Sequence, residues 1–314
     1  MVKLIWLRTA LVVPLLFAVA TAAFFLASLS DADPARIAAG QNASPDAIHA
    51  LRVEMGLDGS TWHRYVEWLS GAVRGDLGAS VYNKAPVAES IKQAMPITLS
   101  LTLGGLIVGV SLGVTAGVVS ALKAGRPADR VLSTIATLGQ SIPGFWLALL
   151  LTFLFALRWR WLPATGFVGP TTSITEWLRT ITLPCLSIGL VSAASIARQT
   201  RSAMIGVLQQ EYVRAAAAHG LSRRRVLLKH ALKNAAAPVV TVLSFQVTSL
   251  LGGSIVVERL FNLRGLGAVA IDAVLRRDPD VIQGVVVCSV AAVFLVNLAL
   301  DILYAWLNPR VRPA

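Results

Sequence analysis

The side chains that could carry reaction chemistry are few and scattered. The four histidines, His49, His63, His219 and His230, fall outside the long apolar runs. Within those runs there is no serine–lysine pair and no pair of carboxylates to act as nucleophile, acid and base. Cys185 and Cys288 do fall inside apolar runs, but singly. That is the pattern of small packing residues, not of a disulfide framework or a metal site. No lysine stands in a Gly-x4-Gly-Lys-Ser/Thr phosphate loop; Lys123, for example, lies between Leu122 and Ala124. No catalytic residue and no metal ligand is therefore assigned, and an intramembrane enzyme is disfavoured.

The conspicuous chemistry is charge. Between Glu211 and Pro238 the chain carries Arg214, Arg223, Arg224, Arg225, Lys229 and Lys233, with long apolar runs on both sides. Each such cation costs roughly 2.5–3.5 kcal/mol at the centre of a bilayer, so the stretch reads as a loop between spans. It is nevertheless built to fold. Alanine-rich Glu211–His219 suits a short helix, with Glu211 near the start where the helix dipole favours an anion. Gly220 suits the left-handed position that ends it. Ser222 can cap a second helix from Arg223 to about Ala236, and Pro238 suits the first turn of the next span. A helix–glycine–helix elbow presenting Ala215, Ala216, Ala217 and Ala218 is a small, smooth knob suited to a groove on a partner.

The elements that hold this elbow are membrane spans. The chain is 55% hydrophobic and 14% charged, with a mean hydropathy of +0.68, and runs of about 20 apolar residues can cross a bilayer. Six are read: Thr9–Leu29, Ile97–Leu122, Val131–Leu157, Ile181–Ala203, Ala237–Leu260 and Val281–Leu307. The fourth is the weakest, because Arg198 and Arg201 sit near its end. The run after Lys3 and Arg8 is longer than a signal-peptide core, so it reads as an uncleaved first span. The net charge of +12 invites a nucleic-acid reading that its distribution opposes. With both termini in the cytoplasm, the inside carries fifteen Lys and Arg; the outside carries seven once the long first loop is discounted. Basicity then reports topology, with attraction to anionic membrane lipid.

The spans differ in texture. Gly105, Gly109, Gly113 and Gly117 form a four-residue ridge in the second, a face for close helix approach. Pro143 removes one helix bond and kinks the third, beside Gln140 and Ser141. In the fifth, Ser244, Thr248 and Gly252 recur every four residues beside Gln246 and Ser249, either for interhelical hydrogen bonds or as a polar path. Apart from Arg198, Arg201, Glu258 and Arg259 near span ends, Asp301 is the only charged residue inside a span, which argues against a proton-driven carrier. Outside, a helix from Ala47 to Met55 stopped by Gly56 is expected, with Trp62, Tyr65 and Trp68 at the interface. Leu266, Val269, Ala270, Ala273 and Val274 share one face of a short helix.

The order of motifs carries a resemblance. Tyr-Val-Arg-Ala-Ala-x-x-x-Gly-Leu-Ser from Tyr212, then His-Ala-Leu-x-Asn-x-x-x-Pro-Val-Val from His230, resembles the cytoplasmic coupling loop of ABC-importer permeases of the dipeptide, oligopeptide and nickel branch. Arg214 stands where the wider superfamily has Glu. Gly-Leu-Asp (56–58), Tyr-x-x-Trp-Leu (65–69), Gly-Asp-Leu-Gly-x-Ser (75–80), Gln-Ser-Ile-Pro-Gly-Phe-Trp (140–146) and Trp-Leu-Pro-Ala-Thr-Gly (161–166) are similar to the family in the same order. So are Val257-Glu258-x-x-Phe261 with Gly265-x-Gly267, then Arg277-Asp278-Pro279, and the closing stretch around Asn297, Asp301, Tyr304 and Asn308. Asp31-Ala32-Asp33-Pro34 keeps only the end of a Pro-Gly-Asp-Pro turn, Arg264 replaces a Pro, and Asn308 replaces an Asp.

The resemblance implies an all-α polytopic membrane protein of six transmembrane helices with cytoplasmic termini and the type I ABC-importer permease fold. Residues 1–29 form the N-terminus and first helix, 30–96 an extracytoplasmic segment, and 97–314 the permease domain with coupling loop 204–236 and gate segment 258–280. It implies import of di- or oligopeptides across a prokaryotic inner membrane, with a nickel-chelate or glutathione permease of the same family as the alternative. The expected partners are a second homologous permease subunit, two ATPase subunits holding ATP and Mg, and an extracytoplasmic solute-binding protein. Glu211, Tyr212, Arg214, Ala215, Ala216, Ala217, Gly220 and Leu221 are expected to couple to the ATPase. Gln140, Ser141, Ser244, Gln246 and Thr248 would line the path, and Glu258, Phe261, Gly265 and Gly267 would form the external gate.

Overall fold

The computed structural model describes residues 2–28, 34–40, 43–55 and 57–307. Gly56, Asp31 to Asp33 and the closing residues from Asn308, all used in the sequence argument, lie outside the described residues. Among those described, regular structure is almost wholly helical, with one isolated antiparallel bridge between Ala79 and Pro86. The helices are α1 (Val2–Ser28), α2 (Pro34–Ala39), α3 (Pro45–Glu54), α4 (Thr61–Val73), α5 (Val87–Leu122), α6 (Pro127–Ser141) and α7 (Gly144–Leu151). They continue as α8 (Ile174–Leu208), α9 (Glu211–Ala218), α10 (Arg223–Arg225), α11 (Leu232–Leu260), α12 (Leu266–Arg276) and α13 (Pro279–Leu307). A π-helical stretch, Thr152–Arg158, extends α7, and another, Val226–Ala231, joins α10 to α11.

Among the described residues, five helices are long and apolar enough to cross a membrane: Arg8–Ser28, Val87–Leu122, Ile174–Leu208, Val226–Leu260 and Pro279–Ala305. The pair Pro127–Ser141 and Gly144–Arg158 makes a sixth if its 102° bend is counted within one span. Pro143 is the reason. It stands in an extended conformation at the N-cap of α7, so the expected kink is a full break. The second, fourth and fifth spans also begin earlier than hydropathy places them, because amphipathic turns extend each helix beyond its apolar stretch. Pro238 does not start a helix either: it lies inside α11. One missing N–H is tolerated within a helix supported by neighbours.

The chain divides into two compact units. The first comprises residues 1–8, 99–263 and 295–314. Its centre is α8, with a row of buried residues from Thr180 to Met204, so the span expected to be weakest is heavily enclosed. The glycine ridge of α5 meets it as expected. A Cβ on Gly113 would stand 2.8 Å from the Ala193 carbonyl oxygen, and one on Gly117 2.6 Å from that of Ala197. On α8, Gly189 answers in kind: a Cβ there would stand 2.8 Å from the Gly105 carbonyl oxygen. Cys185 packs beside Gly104, the packing role expected of it. The two backbones are therefore in contact where side chains would otherwise hold them apart.

The second unit comprises residues 9–98 and 264–294. Helix α3 matches the expected external helix and is capped by Ser44, whose Oγ accepts from the Ala47 amide at 3.2 Å. Tyr65 and Trp68 of α4 pack on α1. Tyr65 is buried, its ring 5.4 Å from that of Phe24, and its hydroxyl is 2.6 Å from that of Thr21. Trp68 lies 5.9 Å from Phe24, while Trp62 stays exposed. A core of Leu77, Val87, Ile91, Ala94, Leu266, Ala273, Val281 and Val285 joins the start of α5, α12 and the start of α13. Val274 departs from the expected face of α12 and is 59% exposed.

Candidate functional site

The elbow forms as its residues dictate. Glu211 opens α9, and Gly220 ends it at φ +77°. The Leu221 amide donates to the Ala216 carbonyl at 3.3 Å, the bond that closes a helix on a left-handed residue. No atom lies within 4 Å of a Cβ built on Gly220, so conformation rather than space requires glycine there. Arg214, Ala215 and Ala218 are exposed, Ala216 is half-buried, and Ala217 lies in the same helix. Val213 points inward and is buried. Tyr212 is 43% exposed, and its hydroxyl accepts from the Asn234 side-chain amide at 2.8 Å. This ties α9 to the first turn of α11, two motif residues that the sequence left apart.

Beyond Gly220 the expectation of a separate second helix is corrected. The segment from Arg223 runs through the π-helical stretch into α11, and the Val226 amide donates to the Ser222 carbonyl at 3.0 Å. Ala121, Met204, Ala231 and Ala235 form a buried cluster where the ends of α5 and α8 meet the start of α11. Small residues set the close approach. The elbow is therefore seated on packed helix ends.

A clamp between α6 and α8 escaped the sequence reading. Asp129 of α6 is 4% exposed. Its two carboxylate oxygens accept from Arg201 of α8, Nε at 2.7 Å and Nη2 at 2.8 Å. They also accept from the Ser120 hydroxyl, from the Gly125 amide at 2.9 Å and from the Ser133 hydroxyl at 3.3 Å. One carboxylate thus gathers the end of α5, the following turn, α6 and α8. The only sequence signal was Arg201 inside an apolar run, where a cation needs an anion.

The path candidates do not form one group. Ser141 is exposed and donates to the Thr137 carbonyl at 3.2 Å; Gln140 beside it is half-buried, with its amide nitrogen unpartnered. Ser244 and Thr248 line a cleft of about 530 Å3 with Asn297, Asp301 and Tyr304 of α13, and Gln246 is half-buried. Asp301, the acid expected alone in the last span, is paired with Arg8 at 3.1 Å.

Of the gate candidates, Glu258 and Phe261 lie in the first unit. Glu258 is fully buried and accepts from the Ser254 hydroxyl at 3.1 Å. Phe261 is 1% exposed, and Asn262 ends α11 at φ +53°. Gly265 and Gly267 lie in the second unit; Gly265 caps α12 in an extended conformation, and Gly267 is buried. There the motif ending at Ser80 meets the motif holding Asp278. The Ser80 hydroxyl donates to the buried Asp278 carboxylate at 2.6 Å, and the Tyr82 hydroxyl donates to the Arg276 carbonyl at 2.6 Å.

Comparison with known proteins shows the family of the chain. Residues 113–313 match the model of the binding-protein-dependent transport system inner membrane component, and residues 1–102 match that of its N-terminal region. A Brucella abortus (strain 2308) protein carrying the name of a peptide transport system permease is 38% identical over 99% of both chains. The glutathione transport system permease protein GsiC of Escherichia coli (strain K12) is 39% identical, over 96% of this chain and 95% of its own. Among solved structures, a chain of the inward-facing MetNI methionine ABC transporter superposes with a TM-score of 0.57 at 20% identity. It covers 69% of this chain and 96% of its own, which establishes a shared type I importer fold. The chain therefore belongs to the family of binding-protein-dependent transport system inner membrane components, as a multi-pass permease subunit of the peptide and glutathione type of ABC importer.

Proposed function

We propose that this chain forms half of the membrane path of an importer for short peptides, working beside a second homologous permease subunit. Two separate ATPase subunits, holding ATP and Mg, dock on the Glu211–Leu221 elbow, and an extracytoplasmic binding protein delivers the solute. In this reading the elbow and both termini face the cytoplasm. Gln140, Ser141, Ser244, Gln246 and Thr248 contribute to the path, and Glu258, Phe261, Gly265 and Gly267 belong to the outer gate. The observation that carries the reading is the exposed alanine face of α9, ended by Gly220 and tied to α11 through Tyr212 and Asn234. A knob fixed at both ends can pass a push into the helices.

Among peptide cargoes glutathione is the first to test. Similarity to the named glutathione permeases is as extensive as that to the peptide permeases, 39% against 38% identity, and glutathione is itself a tripeptide. The experiment is uptake into proteoliposomes holding the complete complex, with labelled glutathione and a labelled dipeptide competing. Ala215→Glu or Ala216→Glu should abolish uptake and either silence ATP hydrolysis or free it from transport. Normal uptake and hydrolysis in both variants would refute the docking role. Uptake that survives vanadate would refute ATP-driven import.

A further inference from the structure

Within the second unit a cavity of about 260 Å3 lies where α1 ends at Ser28 and α13 begins at Pro279. The Ser28 hydroxyl on its wall donates to the Phe24 carbonyl at 2.7 Å, but other polar groups there have no hydrogen-bond partner. Gln283 is 3% exposed, lines the cavity, and has its side-chain oxygen buried without a hydrogen-bond partner. Asp280, three residues earlier on α13, places a carboxylate in the same wall. Arg64 of α4 and Arg277 of the α12–α13 turn add two guanidinium groups. Among the described residues, the side chains of Asp280, Arg64 and Arg277 make neither a hydrogen bond nor an ion pair. Folded proteins leave few buried polar atoms unsatisfied, so an orphan acceptor on a residue that lines a cavity calls for a ligand or water.

The backbone around these groups is fixed. Arg277 holds the left-handed conformation at φ +57°, secured by the Asp278 amide donating to the Ala273 carbonyl at 2.9 Å. Gly78, at φ +86°, leaves room beside Asp280, since a Cβ there would stand 3.3 Å from its carboxylate oxygen. Phe24 and Ile282 supply apolar wall.

The arrangement is the inverse of a zwitterion. Asp280 and the Gln283 oxygen can accept from an ammonium group, while Arg64 and Arg277 can hold an anion. A lone anion would face Asp280, and a lone cation would face two arginines. The cavity also sits where the apolar runs of α1 and α13 end, and span ends are where lipid headgroups are met. We propose that it binds a ligand pairing an N–H-bearing ammonium with a nearby anion. Two sources share that chemistry: a phosphatidylethanolamine headgroup and a short peptide in free solution.

The test uses the complete purified complex. In nanodiscs of mixed phosphatidylethanolamine, phosphatidylcholine and phosphatidylglycerol, native mass spectrometry counts the retained lipids. Binding of alanyl-alanine is measured by calorimetry in parallel. A lipid ligand predicts about tenfold preference for phosphatidylethanolamine over phosphatidylcholine, whose ammonium has no N–H, falling to parity in Asp280→Asn, whereas Arg64→Ala/Arg277→Ala should lower retention of both lipids alike. A free zwitterion predicts saturable alanyl-alanine binding weakened about tenfold by the same variants. Gln283→Leu, close in size, should lose binding without lowering the unfolding temperature, which separates ligand loss from misfolding. A wild-type complex showing neither preference nor dipeptide binding, or variants that change neither, would overturn the proposal.

Discussion

Arg201 grips Asp129 through two hydrogen bonds of 2.7 and 2.8 Å, one to each carboxylate oxygen, joining α8 to α6. Arg201 lies ten residues before Glu211, so the pair braces the helix that leads into the elbow. Removing one partner of such a pair leaves a buried charge unmatched, at about 3–5 kcal/mol for a fully buried case. Arg201 keeps 34% of its side chain exposed, which places Asp129→Asn toward the lower end, about 3 kcal/mol. Thermal unfolding of the purified complex should show the loss. A double change of Asp129 to Asn and Arg201 to Met should recover part of it, because no buried charge then remains. A single Asp129→Asn variant as stable as the wild type would remove the clamp from the account.

The glycine ridge makes a sharper prediction about packing. Gly113→Ala and Gly117→Ala each drive a methyl group against a carbonyl oxygen of α8, and backbone cannot swing aside as a side chain can. Each should cost about 1–3 kcal/mol, the range for overpacking. Gly252→Ala is the control: nothing lies within 4 Å of its added methyl, and it should be neutral or slightly stabilising through helix propensity. Equal stability of all three variants would mean that α5 and α8 do not meet as described.

The ridge also marks what a sequence can disclose. Small residues every fourth position leave no choice about which face approaches another helix, so Gly105 to Gly117 were legible before any coordinates. The elbow was legible for a similar reason, since Gly220 and the alanines before it each satisfy a local rule. The Arg201–Asp129 clamp was not. Its partners stand 72 residues apart, and charge alone cannot say which acid meets a cation or that Arg201 strengthens the span it interrupts. Pro143 and Pro238 failed in opposite directions. The same missing N–H breaks one helix and is absorbed by another, and only the surrounding packing decides which.

Gly220 separates conformation from contact. Its φ of +77° is open to glycine but costs other residues about 1–2 kcal/mol. Gly220→Ala should therefore loosen the end of α9 without any clash. Hydrogen exchange of the Leu221 amide, which donates to Ala216, should accelerate by about fivefold to thirtyfold for that cost. Gly206→Ala, inside α8 with open space around it, should leave that amide unchanged. Unaltered exchange in Gly220→Ala would show that the elbow does not depend on its left-handed residue.

Ser80 and Asp278 provide the last test, because they join segments 198 residues apart. Ser80 is 8% exposed and Asp278 3%, and the 2.6 Å bond runs to a carboxylate, so it belongs to the stronger class. Ser80→Ala removes the donor and leaves the carboxylate its remaining bond from the Val281 amide, a long 3.5 Å contact. The expected cost is about 1.5–3 kcal/mol. It should be felt locally, in the turn from Gly78 to Val87, where the Ser80 amide donates to Ala85 and the Val87 amide donates to Gly78. Hydrogen exchange there should rise while the Leu221 amide at the elbow stays protected, since the two lie in separate compact units. Asp278→Asn should act in the same direction but less strongly, because the amide oxygen can still accept from Ser80. If Ser80→Ala left exchange in this turn unchanged, the two motifs would not be held together by this bond.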